Sequence, residues 1–312
     1  MQITELERFN PWWKTAQVQV LPAFKRALYQ DFSSYLPMRQ ILLLRGLRRT
    51  GKTTLLHQLI ASLLGQSKPF HLFYFSFDER AFDVKEVLET YQKLILGKPF
   101  DQISEKIYLF FDEIQKVPDW ENKLKVYYDL YPQLKIIISG SAATSLRKKS
   151  RESLAGRIFD FVLEPLSFTE FLAIKGYDLA AIKLNPTLWQ RELIPLSYQY
   201  LKWGMFPELA LIEEEQVARK YLLESVIERI IYKDIIEEFK VTDVELLKNI
   251  LYILGKTPGM IVNYKEIATN LGRDERTISN YFEYLEFGLL TRFVFNYRGS
   301  PLASRRKSKK IY

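Results

Sequence analysis

The chain has 312 residues, 47% of them hydrophobic and 26% charged, with a formal net charge of +8 and no cysteine. That balance suits a folded protein of two or three domains and excludes a disordered chain, a disulfide framework and thiolate metal sites. No apolar run approaches the ~20 residues that a membrane helix needs, and Glu5 and Glu7 stand where a secretory leader would be basic, so a cytoplasmic protein with no membrane partner is expected.

Residues 1–36 carry Asn10, Pro11, Trp12 and Trp13, then an amphipathic stretch around Phe24 to Tyr35, and read as an N-terminal segment. A core domain is expected over 37–165. Its first apolar run, Ile41 to Leu44, reads as a buried strand leading into Gly46, Leu47, Arg48, Arg49, Thr50, Gly51, Lys52 and Thr53. The pattern G-x-x-x-x-G-K-S/T should arise by chance about 0.01 times in a chain of this length, so it reads as a phosphate-binding loop for a nucleoside triphosphate. Gly46 and Gly51 let the backbone curl until successive N–H groups face inward, and the residues from Gly46 to Thr54 are expected to line the phosphates. Leu55, Leu56, Leu59, Ile60 and Leu63 form one face of the helix that follows, which brings its positive dipole end under the anion. Lys52 is expected on the β- and γ-phosphates and Thr53 on Mg²⁺. Arg48 and Arg49 either touch phosphate or are solvated loop charges. The N-terminal segment is expected near the nucleotide base.

Further along, Ile107, Tyr108, Leu109, Phe110 and Phe111 form an apolar strand ending in Asp112 and Glu113, a Walker B pattern. Asp112 is placed to hold Mg²⁺ through its water shell, and Glu113 to orient or deprotonate the attacking water. The competing role is two acids capping a helix after a core strand. Strands are expected near 40–45, 71–76, 106–111, 135–139 and 158–163, with helices around 52–64, 83–97 and 119–130, an alternation that implies an α/β fold with a parallel sheet. Glu113 directly after Asp112 marks the P-loop division with an extra strand between the loop strand and the Walker B strand, and the strand ending at Ser139 is the one expected there. Ser139 or Ser141 is then a sensor of the γ-phosphate, or else part of a polar turn. Arg157, before the last core strand, is expected as an arginine finger in cis or on a neighbouring subunit, against an ordinary surface ion pair. Arg147 and Arg151 are weaker choices for that role.

Residues 166–238 read as a helical lid, ending in an amphipathic run over 213–239. Over 239–300, three helical patterns around 246–254, 264–271 and 274–287, followed by an extended stretch, read as a winged helix-turn-helix. Arg273, Arg276, Thr277, Ser279, Asn280 and Tyr281 are its expected exposed positions. Between Asp243 and Tyr297 there are six basic and seven acidic residues, whereas Arg298 to Tyr312 carries six basic residues and no acid. DNA is a candidate partner through the winged helix or the basic tail at 301–312, against a solvated terminal run for the tail, whereas a module that neutralises several phosphates is normally basic, so the near-neutral winged helix also fits packing on the core or on a protein partner.

Several of these marks coincide: Asn10-Pro11-Trp12-Trp13, the phosphate loop, Asp112-Glu113-Ile114-Gln115, Ser139-Gly140-Ser141, Ser153 to Arg157, Pro165-Leu166-Ser167-Phe168 and Gly204 to Pro207. Together they resemble the archaeal and bacterial P-loop ATPases of the AAA+-related STAND group. The resemblance implies ATP as the nucleotide, a helical lid, a winged helix and Pro207 beside the adenine. It also implies that relatives continue past a segment like 306–312 into a domain similar to restriction nucleases, so no nuclease activity is expected of these residues. The expected function is a Mg²⁺-dependent ATPase acting as a nucleotide-controlled switch. Its rivals are a DNA-binding ATPase similar to origin-recognition proteins and a regulator that binds nucleotide with negligible hydrolysis. An arginine finger in trans would require a homo-oligomer.

Overall fold

The apolar runs form a five-stranded parallel sheet in the computed structural model, which describes residues 1–18, 21–78, 82–141, 153–295 and 309–312. Strands β1 (Ile41–Arg45), β2 (Leu72–Ser76), β3 (Ile107–Asp112), β4 (Leu134–Gly140) and β5 (Ile158–Val162) lie in the order β2-β3-β4-β1-β5. All of β1 and β4 is buried, which requires helices over both faces and accounts for their unbroken apolar sequence. The helix Lys52–Leu63 buries the five apolar residues read as its core face, and Val84–Tyr91 and Trp120–Leu130 supply further cover. Strand β4 stands between β1 and β3, pairing Ile138 with Leu43 on one side and Phe111 on the other, as expected of the inserted strand.

The N-terminal segment covers the free edge of β2. Asn10 is fully buried and its side-chain amide behaves like a short strand: Oδ1 accepts from Tyr74 N at 2.7 Å while Nδ2 donates to Tyr74 O at 2.9 Å. Both indole N–H groups of Trp12 and Trp13 donate to Leu72 O. These bonds satisfy an edge that would otherwise invite another chain.

Two compact units divide the chain, Met1–Ala218 and Arg219–Tyr312. The first includes helices Phe168–Ile174, Leu179–Leu184 and Pro186–Gln199, so the segment expected as a lid groups with the sheet only as far as residue 218. The division falls inside the amphipathic run over 213–239, which the structure interrupts with π-helical turns Leu222–Ile227 and Ile230–Ile235.

In the second unit, helices Val244–Lys256, Tyr264–Leu271 and Glu275–Phe287 bury Leu247, Ile250, Ile278, Phe282 and Leu285. Strands β6 (Phe293–Val294) and β7 (Lys310–Ile311) pair antiparallel, and Ile261 bridges to Lys310. This corrects the expected tail: the end of 301–312 closes a small sheet, because Tyr312 and Arg292 exchange backbone hydrogen bonds at 2.7 and 3.0 Å. Arg298, Arg305, Arg306 and Lys307 lie outside the described residues. Tyr281 is a second correction, being 8% exposed and packed inward, and the exposed Arg273 is tied to Asp243 at 2.8 Å.

Candidate functional site

The loop 46–53 leaves the carboxyl end of β1 and turns directly into the helix Lys52–Leu63. An ideal Cβ on Gly46 would lie 2.4 Å from the carbonyl oxygen of Leu163, so only glycine lets the chain pass the end of β5. Gly51 sits at φ +93, in the left-handed region that glycine occupies without cost. Inside this curl Lys52 is 6% exposed, and its ammonium donates to the carbonyls of Gly46 at 3.0 Å and Leu47 at 2.9 Å. Thr50 Oγ1 ties the same turn by donating to Leu47 O at 2.8 Å. Of the remaining loop residues, Leu47 is buried, Arg48 and Thr54 are half-buried, and Arg49 is exposed and paired with Glu208 at 3.2 Å. Pro207 is the neighbour of that Glu208, and its Cγ lies 3.9 Å from an ideal Cβ on Gly51.

The carboxyl end of β3 carries the second half of the site. Asp112 is 3% exposed and is met by donors from three other elements. Thr53 Oγ1 donates to Oδ2 at 2.6 Å and Tyr74 OH to the same oxygen at 2.9 Å, while Ser139 Oγ and the Glu113 amide serve Oδ1. Parallel register produces this meeting, since Ser76 pairs with Asp112 on one side of β3 and β4 brings Ser139 to the other. The Glu113 carboxylate accepts from Gln115 Nε2 and from Ser141 Oγ, the latter at 3.1 Å, with its backbone at φ +53.

Tyr74 was not singled out by the sequence, although a polar tip in the strand Leu72-Phe73-Tyr74-Phe75 was a signal. Burial, and next the Asp112 charge beside it, push its phenol well above the ordinary tyrosine value, so it remains a proton donor. His57 packs against Tyr74 with the rings tilted and their centroids 4.7 Å apart, and burial pulls its imidazole below the ordinary value despite the attraction of Asp112. At neutral pH the aromatic side of Asp112 is therefore uncharged.

Arg157 is not brought to this constellation. It precedes β5, its carbonyl accepts from Ile41 N at 2.8 Å, and its guanidinium pairs with Asp129 at 2.9 Å. All of these lie at the amino ends of the strands, whereas the loop and Asp112 lie at the carboxyl ends. Five residues of β5 span roughly 16 Å, so the geometry supports the surface ion pair rather than a finger within the same chain. Arg147 and Arg151 lie outside the described residues.

The residues present fit a triphosphate and a hard cation. A cradle that admits no Cβ at Gly46, a buried ammonium, and a hydroxyl beside a buried carboxylate form the donor set that each requires. Gln115 Oε1 adds a buried oxygen lacking a hydrogen-bond partner among the described residues, next to Glu113.

The parallel sheet and the loop have the fold of AAA-type P-loop domains, and residues 38–172 match the family model of the AAA domain. Residues 195–312 match a domain of unknown function, DUF8612. The chain is 30% identical over 281 residues to the uncharacterized protein MJ1544 of Methanocaldococcus jannaschii, an alignment covering 87% of this chain and 60% of that protein. An uncharacterized protein of Haemophilus influenzae is 31% identical over 261 residues, or 80% of this chain and 61% of the other. The chain thus spans about 60% of the length of these curated relatives. The solved structure of the Aeropyrum pernix ORC1 protein in complex with DNA aligns with 96% of this chain and 91% of that one, at 14% identity and a TM-score of 0.39. Among the described residues no helix is long and apolar enough to cross a membrane.

Proposed function

We propose that this chain binds ATP with Mg²⁺ in the loop 46–53, hydrolyses it, and uses the nucleotide as a conformational switch. The observation that carries this reading is the meeting of Thr53, Ser139 and Tyr74 on the buried Asp112 carboxylate, beside a loop that encloses Lys52.

The amides from Gly46 to Thr54 would donate to phosphate oxygens. Lys52, whose acceptors are now two loop carbonyls, exchanges them for phosphate. Thr53 and Asp112 are the residues that would hold Mg²⁺, whose charge offsets that of the phosphates. Glu113 takes a proton from the attacking water, and its hold on Ser141 and Gln115 sets the direction of that carboxylate. Ser139, bonded to Asp112, reports the state of the same end of the sheet. Pro207, next to Gly51, is assigned to the nucleotide's base side, with the helices over 168–209 as lid. Arg157 can serve hydrolysis only on a neighbouring subunit, which ties that role to a homo-oligomer.

We read the second unit as a winged helix, on its three helices, the bridge at Ile261 and the β6–β7 pair. Duplex DNA is its proposed partner, through Arg276 and Arg292. A salt-dependent mobility shift lost on replacing both supports that assignment, and an unchanged shift refutes it.

The central test is equilibrium binding of a fluorescent ATP analogue together with phosphate release. Lys52→Ala should weaken binding about tenfold or more, the scale of a lost charged hydrogen bond. Glu113→Gln should keep binding and lose about a hundredfold in turnover. Equal phosphate release from wild type and Glu113→Gln would remove hydrolysis from the reading.

A further inference from the structure

Behind the loop 46–53 lies a buried ion pair, Arg26 with Glu170, 8% and 9% exposed and 144 residues apart in sequence. Arg26 Nε donates to Glu170 Oε1 at 2.8 Å and Nη2 to Oε2 at 3.3 Å. The rest of the fork is also engaged: Nη1 donates to Thr50 O at 2.6 Å, and Nη2 to Glu164 O at 2.7 Å and Pro165 O at 3.3 Å. Glu170 in turn accepts from the amides of Ala27 at 2.8 Å and Ser167 at 2.9 Å. Burial pulls the Glu170 carboxyl upward, but Arg26 and these two amides outweigh it and hold the group below the ordinary carboxylate value. One guanidinium thereby joins the N-terminal segment, the glycine loop, the link after β5 and the first turn of the helix Phe168–Ile174. Desolvation offsets much of the attraction within a buried pair, so net stability is a weak reason to build one.

We propose that Arg26 is a positioning residue that sets the peptide between Thr50 and Gly51 for phosphate binding. A trans peptide points its C=O and N–H in opposite directions. Holding the Thr50 carbonyl on Arg26 therefore fixes the Gly51 N–H facing away from Arg26, as an amide of the cradle. Gly51, at φ +93 and lacking a Cβ, tolerates either orientation of that peptide, so the constraint comes from the guanidinium. Through Glu170 the same fork ties this amide to the helices that follow β5, which makes their position and the loop's readiness for phosphate interdependent. Lysine cannot replace it, because a single ammonium does not present two fixed edges to Glu170 and Thr50 at once. This inference rests on the loop being a nucleotide site, and it assigns a role to a residue that does not touch the nucleotide.

The test uses the full chain with Arg26→Lys and Arg26→Ala, checked for folding by circular dichroism and titrated with mant-ADP and Mg²⁺. Folded variants should bind mant-ADP about tenfold more weakly. In ATP hydrolysis KM should rise by a similar factor while kcat stays within about twofold, the signature of lost ground-state binding. Wild-type affinity in folded Arg26→Lys overturns the proposal, as does a fall in kcat at unchanged KM. Two variants that both fail to fold make Arg26 structural and overturn it too. A wild-type chain that binds no mant-ADP removes the nucleotide reading and this inference with it, whereas wild-type binding beside unaffected variants removes only the role of Arg26.

Discussion

Asp112 shows how much a single carboxylate can organise. With two donors on each oxygen it has little freedom, and its donors come from the first turn of a helix, from β2, from β4 and from its own backbone neighbour. Tyr74→Phe removes one of these without changing shape. Because the lost hydroxyl serves a buried charge, the variant should lose about 1.5 kcal/mol or more of stability in urea unfolding, and equal midpoints would mean that the bond adds nothing. Gly46→Ala is the harsher change, since its methyl meets the Leu163 carbonyl, a backbone atom that cannot rotate away. A cost of about 1–3 kcal/mol is expected from overpacking, with loss of nucleotide binding as the loop is pushed from β5. Retained affinity for a fluorescent ATP analogue in that variant would show that the loop can shift without consequence.

Among the elements, β4 carries a charge through the middle of the sheet. Lys135 is fully buried, and its ammonium reaches the carbonyls of Tyr35 at 3.1 Å, Met38 at 2.7 Å and Gln40 at 2.6 Å, which close the turn before β1. Burial, with a smaller contribution from Lys106, pulls its value from 10.5 down to about 7. The unfolded chain therefore binds more protons at this site than the folded chain between about pH 7 and 10.5. Stability must rise with pH across that window, and below it the site's penalty is fully present. Denaturation midpoints measured from pH 6 to 10 should climb in the wild type, while Lys135→Met, which has no group to titrate there, should be flatter with pH. Parallel curves would place the titration elsewhere. The N-terminal segment acts at the same scale, since Asn10 and the two tryptophans seal the edge of β2 with side chains instead of another strand.

For the whole molecule, two compact units imply that unfolding is not a single two-state step. A ligand bound only to the folded first unit raises its stability by mass action, about 2.7 kcal/mol at a hundredfold excess over Kd. Calorimetry with ATP and Mg²⁺ should therefore move the transition of the unit containing the sheet, and Lys52→Ala should abolish the shift. A shift that persists in Lys52→Ala would place the nucleotide outside this loop.

What the sequence by itself determined is local. Five apolar runs became the five strands, the glycine spacing became the loop, and Asp112 and Glu113 fell at a strand end, because periodicity and backbone permissiveness act over a few residues. The tertiary structure alone decided which distant groups meet: Tyr74 on Asp112, Arg26 between Thr50 and Glu170, Arg157 at the far end of the sheet, and β7 where a tail was expected. These contacts depend on strand order and on chain segments returning from far along the sequence, and no short-range pattern carries that information, since the same side chains in the same local order would serve equally well facing other neighbours.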